Sequence, residues 1–175
     1  MKKILSVALA AVLFTSLSAT AQTPPDKSKR PSPPALVTET IKGGTVVSID
    51  YSQPSLKGRL IGVDLEPKQG QVWRTGANEA TVFEVSKDVK VEGDKLPAGK
   101  YGLFTIMNGD EWTIIFNKTW NQWGAFKYSN ADDALRVKVK AGKSDKFYEQ
   151  MTFTISPKGE VSLMWGDLLV KFKVK

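Results

Sequence analysis

Between Trp73 and Glu79 the chain packs an indole, a guanidinium, an amide and a carboxylate around one glycine, as Trp73-Arg74-Thr75-Gly76-Ala77-Asn78-Glu79. Polar groups set this close to apolar ones either satisfy each other or wait for a ligand. A guanidinium grips a carboxylate bidentately, and Glu79 is the nearest such partner in sequence for Arg74. Gly76 and Asn78 suit left-handed backbone, so the segment is expected to turn sharply. Two arrangements meet these constraints. In one, Arg74 pairs with Glu79, Trp73 covers the core, and nothing binds. In the other, Arg74 and Asn78 stay free to hold an anionic or polyhydroxylated ligand.

Two further sets could share that site. Tyr51, Ser52, Ser55, Lys57 and Arg59 leave the end of an alternating segment and run into a long connection. Their cations suit an acidic group, or simply solvate a loop. Asn117, Trp120, Asn121, Gln122 and Trp123 place two indoles among amides. Flat apolar faces beside amide donors and acceptors make a stacking platform for a sugar or peptide; alternatively the rings plug an open end of the fold. Asp132-Asp133 could supply half of a carboxylate pair, whose partner must stand about 5–9.5 Å away, or cap a loop.

Other chemistries are removed by composition. The chain has no His and no Cys. That excludes Ser-His-Asp and Cys-His triads and any imidazole base. It also excludes nearly all zinc, copper and haem sites, which need nitrogen or sulfur ligands. No oxygen-ligand loop of EF-hand spacing and no Gly-rich phosphate cradle is present. Neither a metal nor a cofactor is expected.

The N-terminal residues 1–21 read as a secretory signal peptide: Lys2-Lys3, an apolar run of about 14 residues from Ile4 to Leu17, then Ala19-Thr20-Ala21. A membrane span needs about 20 residues, so no membrane insertion is expected after cleavage. The mature chain would start at Gln22 and reside in a periplasm or outside the cell, with no disulfide to staple it. Losing Lys2 and Lys3 lowers the formal charge from +7 to +5. A basic balance can mean nucleic acid, but export argues against such a partner. Lysines at alternate positions (138 and 140; 171, 173 and 175) mark an ordinary solvated sheet face.

These residues must be positioned by strands. Residues 22–34 hold five prolines with Lys27, Lys29 and Arg30 among them, and should form an extended, mobile leader. From residue 35 the apolar pattern has period two: Val47/Ile49/Tyr51, Tyr101/Leu103/Thr105, Trp112/Ile114/Phe116 and Leu135/Val137/Val139. Met151/Phe153/Ile155, Val161/Leu163/Trp165 and Leu168/Val170/Phe172/Val174 continue it, with turns at Gly43-Gly44, Gly93-Asp94, Asn108-Gly109, Pro157-Lys158-Gly159 and Gly166-Asp167. Residues 35–175 therefore predict one all-β domain, an antiparallel β-sandwich, jelly-roll-like, of about 8–10 strands. Two connections, Gln53–Gln71 and Lys118–Asp133, are too long for tight turns and are where a binding surface should sit.

Several strings resemble a bacterial exported family known only as domain of unknown function family 2911. They are Arg30-Pro-Ser-Pro-Pro-Ala35, the run from Val47 to Arg59, Val72 to Thr81, Leu96 to Ile106 and Glu111 to Gly124. The resemblance spans essentially the whole mature chain. It implies an exported, mostly β domain and brings no activity with it.

The expected function is a non-catalytic exported domain with a pocket at one end of the sandwich, taking a small-molecule, glycan or peptide ligand. Its walls would come from Tyr51, Ser52 and Arg59, from Trp73, Arg74, Asn78 and Glu79, and from Asn117, Trp120 and Trp123. The competing class is a metal-free hydrolase or lyase, with Glu79 or an Asp as base and Tyr51 or a Lys as acid. A third is a structural partner of envelope proteins.

Overall fold

The computed structural model describes residues 26–175, so the segment 1–21 that reads as a signal peptide lies outside the described residues. Ten strands are formed: β1 (Pro34–Ile41), β2 (Thr45–Ser52), β3 (Val72–Trp73), β4 (Thr81–Val85) and β5 (Val89–Val91), followed by β6 (Asp94–Leu96), β7 (Gly99–Asn108), β8 (Glu111–Asn117), β9 (Asp133–Ile155) and β10 (Glu160–Lys173). Every strand pair is antiparallel, and the main sheet runs β1-β2-β4-β7-β8-β9-β10, with β3 against β7. β5 and β6 form a hairpin that joins the end of the chain through Val91 opposite Val174.

The sheet closes over its own core because β9 is 23 residues long. Its first part pairs with β8, from Asp133 opposite Asn117 to Lys140 opposite Glu111, and its second part pairs with β10. One strand thus serves both layers of the sandwich. The inward positions are the period-two residues of the sequence: Val47, Ile49, Phe83, Leu103, Trp112, Ile114, Phe116, Met151, Phe153, Val161, Leu163 and Trp165 are all buried in one cluster. Burying each such side chain stabilises the fold by roughly 1.5–3 kcal/mol.

One expected turn is absent, and two expected strands are one. Residues 135–139 and 151–155 belong to one strand, and Gly166-Asp167 is not a hairpin but an irregularity inside β10. Gly166 has φ 58°, and a Cβ there would stand 3.3 Å from Leu56. A register shift with local bending absorbs a glycine in a strand as readily as a turn does.

The outer face of β7 and β8 is also covered. Phe104 and Ile115 are buried there with Ala80, beneath Ala125 and Tyr128 of the 118–132 connection. Both faces of these strands therefore carry apolar residues, as the run Leu103-Phe104-Thr105-Ile106 predicts. This second small core fixes the long loop in place.

Candidate functional site

Two rows of cross-strand partners on the outer face form the floor of a groove. One row is Leu36, Asp50 and Val82; the next is Thr38, Ser48, Glu84 and Lys100. Above them lie two cavities of about 210 and 400 Å³ that share Asp50, Val82 and Trp120 and so make one continuous depression. Lys27, Ser52, Glu79, Asn121 and Gln122 line its upper end, and Leu36, Val46 and Lys100 its lower end. The groove lies on the outer face of the sheet, not at the expected open end of the sandwich.

The indole-bearing loop is rigidly built. Asn117 is fully buried, donating to the Ser129 carbonyl (2.9 Å) and Asp133 Oδ1 (2.8 Å) and accepting from the Thr119 N–H (2.9 Å). Gln122 donates to the Thr119 carbonyl (2.7 Å) and accepts from the Lys127 N–H (2.9 Å). Gly102 lets the loop lie directly on the sheet, since a Cβ there would come within 2.6 Å of Phe104 and 3.3 Å of the Thr119 carbonyl. The loop is pinned to the neighbouring motif by Ala80 N–H to Gln122 O and Gly124 N–H to Asn78 O, both 3.0 Å. Trp120 and Trp123 are left 37% and 54% exposed. They do not plug the fold; they stand partly exposed on its outside.

Asp132 and Asp133 serve the loop. Asp132 accepts from Thr119 Oγ1 (3.1 Å), and Asp133 from the Tyr128 hydroxyl (3.0 Å) and Arg136 Nε (2.6 Å). Burial and then the hydrogen bond to Asp133 push the Tyr128 phenol up to about 12, so it stays protonated as a donor.

The Trp73–Glu79 motif is split between the two faces. Trp73 is 2% exposed, stacks on Trp165 inside the sandwich (centroids 5.9 Å apart, planes 14°) and donates to the Gly76 carbonyl at 3.1 Å. Glu79 lines the groove, and Asn78 turns to the N-terminal segment. Arg74 and Glu79 do not pair, so the first of the two arrangements open to the sequence is not formed. Thr75 and Asn78 adopt left-handed backbone (φ 52° and 59°), which turns the two side chains apart. Gly76 is needed for space rather than handedness: a Cβ there would stand 2.8 Å from Thr81 Oγ1. Arg74 Nε is buried without a hydrogen-bond partner among the described residues, and burial lowers its basicity while Glu66 partly restores it.

Glu79 is claimed instead by the N-terminal segment. Arg30 donates to both its oxygens (2.8 and 3.1 Å), and Lys27 Nζ lies 3.0 Å away. The Arg30 guanidinium sits 5.8 Å from the Trp123 ring centroid, and Asn78 Nδ2 donates to the Ser32 carbonyl at 3.0 Å. Residues 26–33, expected to be part of a mobile leader, thus form a strap along the groove. Proline-rich composition denied them a core, and they bury none, but opposite charge holds them. Burial alone would raise the Glu79 carboxyl; its own backbone N–H together with Lys27 and Arg30 outweighs this and holds it below its ordinary value.

Asp50 has no hydrogen-bond or ion-pair partner among the described residues. Its partial burial raises its carboxyl above the usual range, reinforced by Glu79 and opposed by Lys27 and Lys100. Alternation along β2 makes it look like a solvated strand residue, so it gave no signal in the sequence. Cross-strand register with Val82, knowable only from the pairing, would have found it.

Besides Trp73, three expected site residues do not present their functional groups to the groove, although Tyr51 borders it. The Tyr51 ring points into the core against Phe153, its hydroxyl accepting from the Phe153 N–H at 3.0 Å. Tyr51 and Glu79 therefore do not face one space as an acid–base pair. Arg59 is folded onto the Leu56 and Ser55 carbonyls (3.0 and 2.9 Å), beside a separate cavity lined by Leu60 and Phe147. Asn117 is consumed internally. Of the strand-end set, Ser52 reaches the groove.

Searches of curated proteins and of solved structures each return no match to the chain. A family model does match residues 32–174, covering both the sheet and the groove loop but only the end of the strap. The chain belongs to the family described as Protein of unknown function (DUF2911).

Proposed function

We propose that this chain is a non-catalytic binding domain, exported to a periplasm or the medium, whose outer-face groove holds a glycan fragment or short peptide. The observation that carries this reading is the pair of half-exposed indoles on an internally satisfied loop, Trp120 lining the groove beside the unpartnered Asp50 and Trp123 bridged to Glu79. A surface that spends its amides and carboxylates on holding two tryptophans outward has the form of a stacking platform. Export rests on the composition of residues 1–21, and the mass of the mature protein, expected to begin at Gln22, checks it.

A thermal-shift screen against oligosaccharides, short peptides and cell-wall fragments tests the binding, because a ligand of the native state alone raises its melting point. A hit that is lost in Trp120→Ala supports the groove. A hit indifferent to Trp120→Ala and Trp123→Ala contradicts it.

A further inference from the structure

Six charged side chains gather at the groove: Asp50, Glu79 and Glu84 against Lys27, Arg30 and Lys100. The balance is even, but two of the three cations belong to the strap. Without the strap, three carboxylates would face Lys100 alone, which is 3.4 Å from Glu84 and 5.5 Å from the Trp120 ring centroid. Stripped of its strap, the groove would be a negatively charged trough, with Trp120 beside Asp50 and Trp123 beside Glu79. That combination of carboxylate and aromatic face recognises an ammonium or guanidinium group.

The strap already shows how such a group is held. Arg30 forks onto Glu79 and lies over Trp123, while Lys27 reaches the same carboxylate and lines the cavity that contains Asp50. Its helical turn buries no side chain, so the segment contributes little to the core and is free to exchange. We propose that the groove selects cationic peptides, and that residues Lys27–Arg30 are a tethered occupant of the same seats. A free peptide bearing two basic residues binds by displacing the strap, with one cation on Glu79 against Trp123 and another on Asp50 beside Trp120. This rests on the groove being the binding site.

The probe is a synthetic peptide with the strap's own sequence, residues 26–34, titrated against the full mature chain with the indole N–H signals of the tryptophans as readout. In the wild type the tethered copy competes at an effective concentration in the millimolar range. The variant Lys27→Gln/Arg30→Gln removes that competitor and is expected to bind the peptide at least about tenfold more tightly, moving the Trp123 and Trp120 signals. Adding Glu79→Gln should abolish the gain, and a peptide with glutamine in place of Lys27 and Arg30 should not bind. Equal binding of the neutral peptide, or no response of Trp123 in the strap variant, overturns the inference. If a neutral glycan from the screen still binds through Trp120, the groove reading survives and only the cation preference falls. If no probe of either kind perturbs either exposed indole, both fail.

Discussion

Trp73 and Trp165 lie stacked and buried inside the sandwich, whereas Trp120 and Trp123 stand half-exposed on its outside with cations over their faces. The same side chain does opposite work in the two places. Inside, each indole sits at an inward position of a strand, and its value is the area and contacts it removes from water. Outside, each sits in a loop anchored by the buried amides Asn117 and Gln122, and its stabilising contribution is small because half of the ring stays wet. The buried pair stabilises the inner face of the sheet, and the proposed binding uses its outer face.

Mutation should break this contrast in order of size. Trp73→Ala empties a buried ring site, and we expect a loss of about 3–5 kcal/mol in urea denaturation. Trp120→Ala and Trp123→Ala should each change stability by less than about 1 kcal/mol in the same measurement. A larger loss at either would mean that the loop indoles hold the fold together.

The two ends of the Trp73–Glu79 motif should likewise behave as strangers. Arg74→Met and Glu79→Gln are expected to add within about 0.5 kcal/mol in a double-mutant cycle, because the side chains do not touch. Strong coupling would restore the pair that proximity in sequence implies.

Acidification probes the strap separately. Glu79 has a folded carboxyl pKa below its unfolded one, so its ion pairs are fully present above the unfolded value and are lost as pH falls through the folded one. The Trp123 indole signal should shift over that acidic window and stay constant at neutral pH, while the Trp73 signal does not follow it. The half-exposed geometry keeps the stability change small. Asp50 has the opposite sign. Its folded pKa is raised, so the ionised carboxylate is a cost at neutral pH, and Asp50→Asn should leave the melting point unchanged or slightly higher.

The sheet was legible because period-two alternation survives in every long strand, from Val47/Ile49 to Phe172/Val174. Where one strand ends was less so: Leu135–Val139 and Met151–Ile155 read as two strands and Gly166-Asp167 as a turn, yet β9 and β10 run through these places. The exposed indoles were legible from composition, since Trp120 and Trp123 fit no strand period. Asp50 was hidden by fitting one. The Arg74–Glu79 pairing failed because two left-handed residues, Thr75 and Asn78, reverse the direction in which neighbouring side chains point. Arg30 and Lys27 reach Glu79 across about 50 residues of sequence, a contact no local pattern encodes.

The most direct test of the groove is the double variant Trp120→Ala/Trp123→Ala, measured for melting temperature and for affinity to the strongest ligand of the thermal-shift screen. Binding should be lost while the melting temperature moves by no more than a few degrees. Retained affinity would place the site elsewhere, and a collapse of the melting temperature with the loss of binding would make these indoles part of the scaffold.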